Sequence, residues 1–332
     1  MMQTKQLGAR GPLVSAIGLG CMAMSGLYGP ADEGESVATI RAALDAGVTL
    51  LDTGDFYGTG HNELLIRQAL AGRRRSDAII SVKFGALRDP AGGWGGYDAR
   101  PQAVKSFLAY TLTRLGTDYI DIYRPARLDP TVPIEETIGA IGEMVTAGYV
   151  RYVGLSEMGV ETVQRAAAVH PIADLQIEYS LMSRSIEGRL LPVLRELGIG
   201  VTAYGVLSRG LLSGKIPAAD AKGDIRTLRM PRFAPENLAQ NLRHVDALRA
   251  IAEEYHVSTV QLAIAWVGAQ GTDIVPLVGA RRRDQLDDAL ASLALELSPS
   301  DAERIAAAIP PESVAGTRYG AMQMAELDSE RA

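Results

Sequence analysis

Cysteine is nearly missing from this chain: Cys21 is the only one in 332 residues. One thiol can form no disulfide within the chain and no cysteine cluster for a metal, so a reducing cytoplasm is the expected compartment. Histidine is also scarce, with four scattered residues, so no metal site is expected. No apolar run approaches the ~20 residues needed to cross a bilayer. The opening "MMQTKQLGARGPLV" has no apolar signal core, and no membrane association is expected. A basic excess is absent too. The net charge of −6 presents no basic face for nucleic acid. Finally, "IGLGCMAMSG" lacks the G-x-G-x-x-G turn of a doubly wound nucleotide-binding sheet, because Gly18 and Gly20 are followed by Met22, Ala23 and Met24.

What is present is a recurring alternation. Short apolar strands are predicted at 17–22, 49–54, 79–85, 119–124, 150–156, 175–180, 200–205 and 273–279. Most are apolar on successive residues, as strands buried on both faces are. Helical spacing lies between them. Val37, Ile40 and Leu44 follow Asp32 and Glu35, which are placed to cap a helix start; Val104 to Leu115 stop at Gly116; Ile134 to Val145 stop at Gly148; Leu190 to Leu197 stop at Gly198. Ser300 and Glu303 are expected to cap a late helix. Strand–helix alternation repeated eight times predicts a (β/α)8 TIM barrel, since parallel neighbours need crossover helices. The doubly wound open sheet is the rival topology. A single α/β domain over 1–332 is expected, with "TKQLGARGPLVSAI" as a hairpin plugging the N-terminal end. The long connections at 86–101 and 206–235 fall on the C-terminal face, where barrels carry function.

The polar residues at the strand tips form a chemical set. Asp52 ends the second strand, Tyr57 follows it, and Lys83 ends the third. A free tyrosine, with a pKa near ~10, is a weak acid at neutrality. An adjacent lysine cation favours the phenolate and lowers that value, and an aspartate holds the lysine in place. The set suits proton donation. Taken singly, Asp52 reads as a helix-start cap, Lys83 as a solvated strand end and Tyr57 as core.

"LLDTGDFYG", "ISVKFG", "LGTDYIDIY", "VRYVGLSE", "LQIEYSL", "AYGVLSRGLLSGK" and "VPLVGARRRDQLDD" occur in order from about residue 5 to about residue 320. Together they resemble the successive motifs of the aldo-keto reductases, in the bacterial and fungal branch akin to the potassium-channel β subunits. The resemblance implies a barrel that binds NADPH and reduces an aldehyde or ketone, a small-molecule carbonyl substrate. By position it implies Asp52, Tyr57 and Lys83 as the catalytic group. Ser156 and Gln176 would hold the nicotinamide carboxamide, Tyr204 with Gly205 would lie under the ring, and Met22 would contact the cofactor. Leu207, Arg209, Gly210 and Leu211 would follow the pyrophosphate. Gly279, Arg281, Arg282 and Gln285 would lie near an adenosine 2′-phosphate, where three successive arginines at a helix start favour NADPH over NADH.

The chain departs from that pattern at "YRPARLDP". The family histidine would fall three residues beyond Tyr123, on Ala126, and no histidine occurs between His61 and His170. Glu157 and Ala289 also stand where asparagine is common. Arg124 and Arg127 are candidates for the lost donor, with Pro125 and strand alternation turning one of them away. Arg127 and Glu157, with Ala126 and Trp94, are expected to line the substrate pocket. Three outcomes remain open at this level: a carbonyl reductase of altered substrate shape, a cofactor-binding redox sensor with little turnover, or a barrel in which Lys83 forms a Schiff base.

Overall fold

The computed structural model describes residues 2–216 and 224–331. Eight parallel strands close into a barrel in the order in which they occur along the chain. They are β1 (Gly18–Gly20), β2 (Leu50–Gly54), β3 (Ile79–Phe84), β4 (Ile120–Pro125), β5 (Val150–Ser156), β6 (Ile172–Glu178), β7 (Gly200–Tyr204) and β8 (Ile274–Gly279). Every residue of β2, β4 and β6 is buried, which explains the unalternating apolar runs. One side of each strand faces the surrounding helices and the other faces the barrel interior. Closure excludes the doubly wound rival.

The N-terminal hairpin pairs Thr4–Gln6 with Leu13–Ser15 and plugs the lower mouth. Leu7 and Val14 are fully buried and cluster with Leu50, Ile122 and Val275 of the barrel floor. Lys5 Nζ fixes the plug by donating to the carbonyls of Gly268, Gly271 and Ile274 at 3.0, 3.2 and 2.8 Å.

Helices Pro101–Leu115, Ile134–Thr146 and Leu190–Glu196 fall where the periodicity predicts. Gly116 ends the first of these in the left-handed region, at φ 66°, which glycine reaches without a Cβ clash. The late helix starts earlier than expected. Ser298 and Asp301 cap it, and Pro299 fills the first helical position. A proline there loses no hydrogen bond, so the cap moves from Ser300 to Ser298. The connection after β3 is an ordered ribbon, Ala86–Arg88 against Trp94–Tyr97. The connection after β7 contains Ile225–Arg229 and Pro235–Glu254 as helices, and its stretch 217–223 lies outside the described residues. Among the described residues, no helix is long and apolar enough to cross a membrane.

Candidate active site

Above the apolar floor, the barrel interior turns polar. Asp52 of β2 lies beside Ser81 in register, and Gly54 lies beside Lys83. Lys83 Nζ bonds Asp52 Oδ1 at 2.5 Å, while Ser81 Oγ and Gln176 Nε2 donate to Asp52 Oδ2 at 2.9 and 2.6 Å. Asp52 and Lys83 are 3 and 4 % exposed. Burial lowers the affinity of Lys83 for its proton, and the Asp52 charge opposes this. A cation out of water is costly unless a partner meets it, and here the partner is held by three donors.

Tyr57 stands on the turn that leaves β2, where Gly58 and Gly60 adopt positive φ. It is half-buried; its backbone bonds Gly54 O and the amide of Asn62, while its hydroxyl has no hydrogen-bond partner among the described residues. Its ring meets Phe56 edge-on at 4.8 Å, and Phe56 meets Trp94 of the ribbon at 5.9 Å. Lys83 Nζ lies 5.1 Å from the centre of the Tyr57 ring. The expected lowering of the phenol by Lys83 is not found. Burial foremost, and then the Asp52 charge, push Tyr57 well above its ordinary value, and Arg127 is the cation that pulls against them. The reason is geometric: Lys83 is turned to Asp52 and to the face of the ring.

The two arginines of "RPAR" part company. Tyr123 faces outward, stacked on Phe84 at 4.2 Å with its hydroxyl on Val104 O. Strand alternation then turns Arg124 into the barrel, where it is fully buried and in register with Lys83. It bonds Asp174 Oδ2 at 2.9 Å, Ser81 Oγ at 2.9 Å and Leu155 O at 3.2 Å. Gly154 leaves the room, since a Cβ there would come within 2.9 Å of Asp174 Oδ1 and 3.0 Å of Arg124 Cζ. Arg124 therefore cannot reach the space beside Ala126. Arg127, past the strand end, remains at the upper mouth and donates from Nη1 to Ala126 O at 2.6 Å and toward Ser156 Oγ at 3.4 Å.

The C-terminal tail completes the mouth, and local sequence patterns gave no sign of it. Arg318 donates to both oxygens of Glu157, and Ser329 donates to Oε2. Burial would raise the carboxyl of Glu157, but the Arg318 charge and hydrogen bonds hold it far below the usual carboxylate range. Tyr204 donates to Glu157 Oε1 at 2.7 Å and meets Tyr319 Oη at 2.9 Å. Arg209 bonds Glu178 at 2.9 Å and lies 4.3 Å over the Tyr319 ring. Glu178 also takes Arg232. Glu178, Arg232, Arg318 and Tyr319 are thus site residues that the sequence reading missed. A buried carboxylate inside the apolar stretch "LQIEYS" was the one readable signal.

At the far end, Arg281 Nη1 reaches the carbonyls of Tyr28, Gly29 and Pro30 at 3.3 to 3.5 Å, and its amide donates to Gln285. Arg282 pairs with Asp284 and Arg283 with Glu35. Gly279, the last residue of β8, pairs with Gly20. Gly205, Leu207, Gly210 and Leu211 lie on the turn after β7, where Gly205 and Gly210 have positive φ. Met22 begins a short helical turn after β1. Cys21 is fully buried, and burial pushes its thiol up. Among the described residues no group of His, Cys, Asp or Glu is placed to hold a metal.

The closed barrel and its likeness to known proteins define an NAD(P)H-dependent oxidoreductase. The chain belongs to the Aldo/keto reductase family, which its residues 16–310 match. A protein of Glycine max described as "Probable aldo-keto reductase 1" is 39% identical over 321 residues, covering 96% of this chain and 92% of its own. The glycerol dehydrogenase AKR11B4 from Gluconobacter oxydans superposes with a TM-score of 0.83 at 29% identity, over 93% of this chain and 96% of its own. The aldo-keto reductase AKR11C1 from Bacillus halodurans, in holo form, gives 0.78 at 27% identity, over 94% and 97%.

Proposed function

We propose that this protein reduces an aldehyde or ketone to the alcohol with NADPH, and that Tyr57 gives the proton to the carbonyl oxygen. The observation that carries this reading is the buried Lys83–Asp52 pair at 2.5 Å set against the ring of Tyr57. A phenol held above its ordinary value stays protonated at neutral pH, as a proton donor must. Giving up that proton creates a phenolate, which the cation Arg127 stabilises, while Lys83 lies over the ring. Asp52 fixes Lys83, and its charge opposes the loss of the Lys83 proton to burial.

The donor set fits a phosphorylated dinucleotide at both ends. Arg282 and Arg283 are joined to carboxylates in exposed pairs, which hold weakly and can turn to a 2′-phosphate with Arg281 and Gln285. Ser156 and Gln176 offer a hydroxyl and an amide for a carboxamide, with Tyr204 beside them, and Arg209 offers charge to a pyrophosphate. A reduced nicotinamide, when bound, supplies the hydride. A second reading, a cofactor-binding redox sensor with little turnover, draws on Ala126, which removes the imidazole donor. One preorganised donor is worth on the order of 10²–10³ in rate.

The test is NADPH oxidation across a panel of aldehydes and ketones by the native protein, Tyr57→Phe and Ala126→His, with NADPH binding followed by fluorescence. Turnover lost in Tyr57→Phe with binding retained supports the reductase. Binding without turnover in the native protein, with activity gained in Ala126→His, supports the sensor. Full turnover in Tyr57→Phe refutes the proton-donor role.

A further inference from the structure

The mouth of the barrel holds more positive than negative charge, and one of its cations has no carboxylate partner among the described residues. Arg209 and Arg232 are paired with Glu178, Arg318 with Glu157, and Arg124 below them with Asp174. Arg127 alone among these forms no ion pair among the described residues. The carboxylate whose charge acts on it, Glu157, is already saturated. Oε1 takes the amide of Glu178, the hydroxyl of Tyr204 and Arg318 Nη1; Oε2 takes Arg318 Nη2 and Ser329 Oγ. No rotation of Glu157 toward Arg127 avoids breaking that set.

The guanidinium of Arg127 is also used on one side only. Both of its hydrogen bonds, to Ala126 O and Ser156 Oγ, leave from Nη1. Nε and Nη2, the parallel edge, are left over. In three exposed or half-buried pairs of this protein that edge grips a carboxylate with two bonds: Arg165 on Glu135, Arg184 on Glu187 and Arg282 on Asp284. Two parallel charge-assisted bonds are the strong and geometrically selective mode of carboxylate recognition. Arg127 adjoins Ala126, whose side chain is only a methyl group, and its charge acts on the phenol of Tyr57.

We propose that Arg127 is an anion-binding specificity residue and that the substrate is an oxo acid, with its carboxylate on the Nε–Nη2 edge of Arg127 and its carbonyl oxygen at Tyr57. This rests on the reductase reading above and adds the substrate class to it. The chain would then discriminate by charge, because a neutral analogue leaves a half-buried cation without its partner.

The experiment compares 2-, 3-, 4- and 5-oxo acids with their methyl esters, which keep the carbonyl and lose the charge. For native protein, kcat/KM for at least one acid should exceed that of its ester by about 10²-fold. In Arg127→Met the acid-to-ester ratio should fall to about one, and Arg127→Lys should restore part of it, since an ammonium keeps the charge without the fork. The ratio is the readout, so a loss of fold or of proton transfer, which lowers both substrates together, does not mimic the result. Native protein that turns over esters as well as acids refutes the inference and leaves the reductase intact. Should no carbonyl compound turn over, the reductase reading fails separately. Calorimetric binding of oxamate in the presence of NADPH then decides the anion site, and equal affinity in native protein and Arg127→Met overturns it.

Discussion

Removing Arg124 should cost more than any other single truncation in the barrel interior. The side chains of Arg124 and Asp174 are both 0% exposed. In Arg124→Met, Asp174 keeps Thr202 Oγ1 on Oδ2 at 2.5 Å, but its Oδ1 already has no partner and its charge loses the only cation bonded to it. An uncompensated buried charge costs about 3–5 kcal/mol. At ~2.1 cal/mol/K per residue, a chain of 332 residues unfolds with roughly 0.7 kcal/mol/K, so the midpoint should fall by about 4–7 °C. The double variant Arg124→Met with Asp174→Leu removes both charges, and should recover most of that loss, to within about 1–2 kcal/mol of native. The assay is urea unfolding and calorimetry of the native protein, both single variants and the double variant. A single-variant cost below about 1 kcal/mol, or a double variant no better than Arg124→Met, would refute the idea that this pair is held by mutual compensation. Ser81 Oγ receives Arg124 and donates to Asp52, so the same variant should also loosen Asp52 and lower kcat.

Two further outcomes follow from buried carboxyls. Asp55 is raised to about 7, first by burial and then by the Glu63 charge. Its folded value exceeds its unfolded one, so its contribution is full below about pH 4 and is lost as pH rises through about 7. Asp55→Asn should therefore gain stability over native at pH 8 relative to pH 5, measured as the difference in midpoint; a difference independent of pH would sink the assignment. Glu157 is held low by Arg318, the opposite sign, with stability lost as pH falls. Arg318→Met should cost several kcal/mol at pH 7 and less at pH 4, where Glu157 can take up a proton. It should also expose the tail to proteolysis, and an unchanged digestion pattern would argue that Arg318 does not anchor it.

The barrel was legible because its cause is local. Eight apolar runs without alternation, separated by helical spacing and glycine stops, leave parallel closure as the economical arrangement, and β1–β8 are found within a few residues of the expected positions. Asp52, Tyr57 and Lys83 were legible for the same reason: strand tips in a parallel barrel share one rim. The late cap was misplaced by two residues because Ser298 and Ser300 compete locally and Pro299 decides between them.

What the sequence by itself determined is the alternation, the plug at the lower mouth, the polar rim and the absence of any histidine between His61 and His170. Each depends on residues close in the chain or on a count that no folding can change. Tertiary structure alone decided the fates of the charges. Arg124 and Arg127 are three residues apart, yet one is locked to Asp174, 50 residues on, inside the barrel, while the other stands at the upper mouth. Glu157 owes its ionisation to Arg318, 161 residues away. The pitch of a strand tells which way a side chain points, but the partner that meets it there is supplied by closure of the barrel and the return of the tail. In a low-dielectric interior that partner sets the cost and use of every charge.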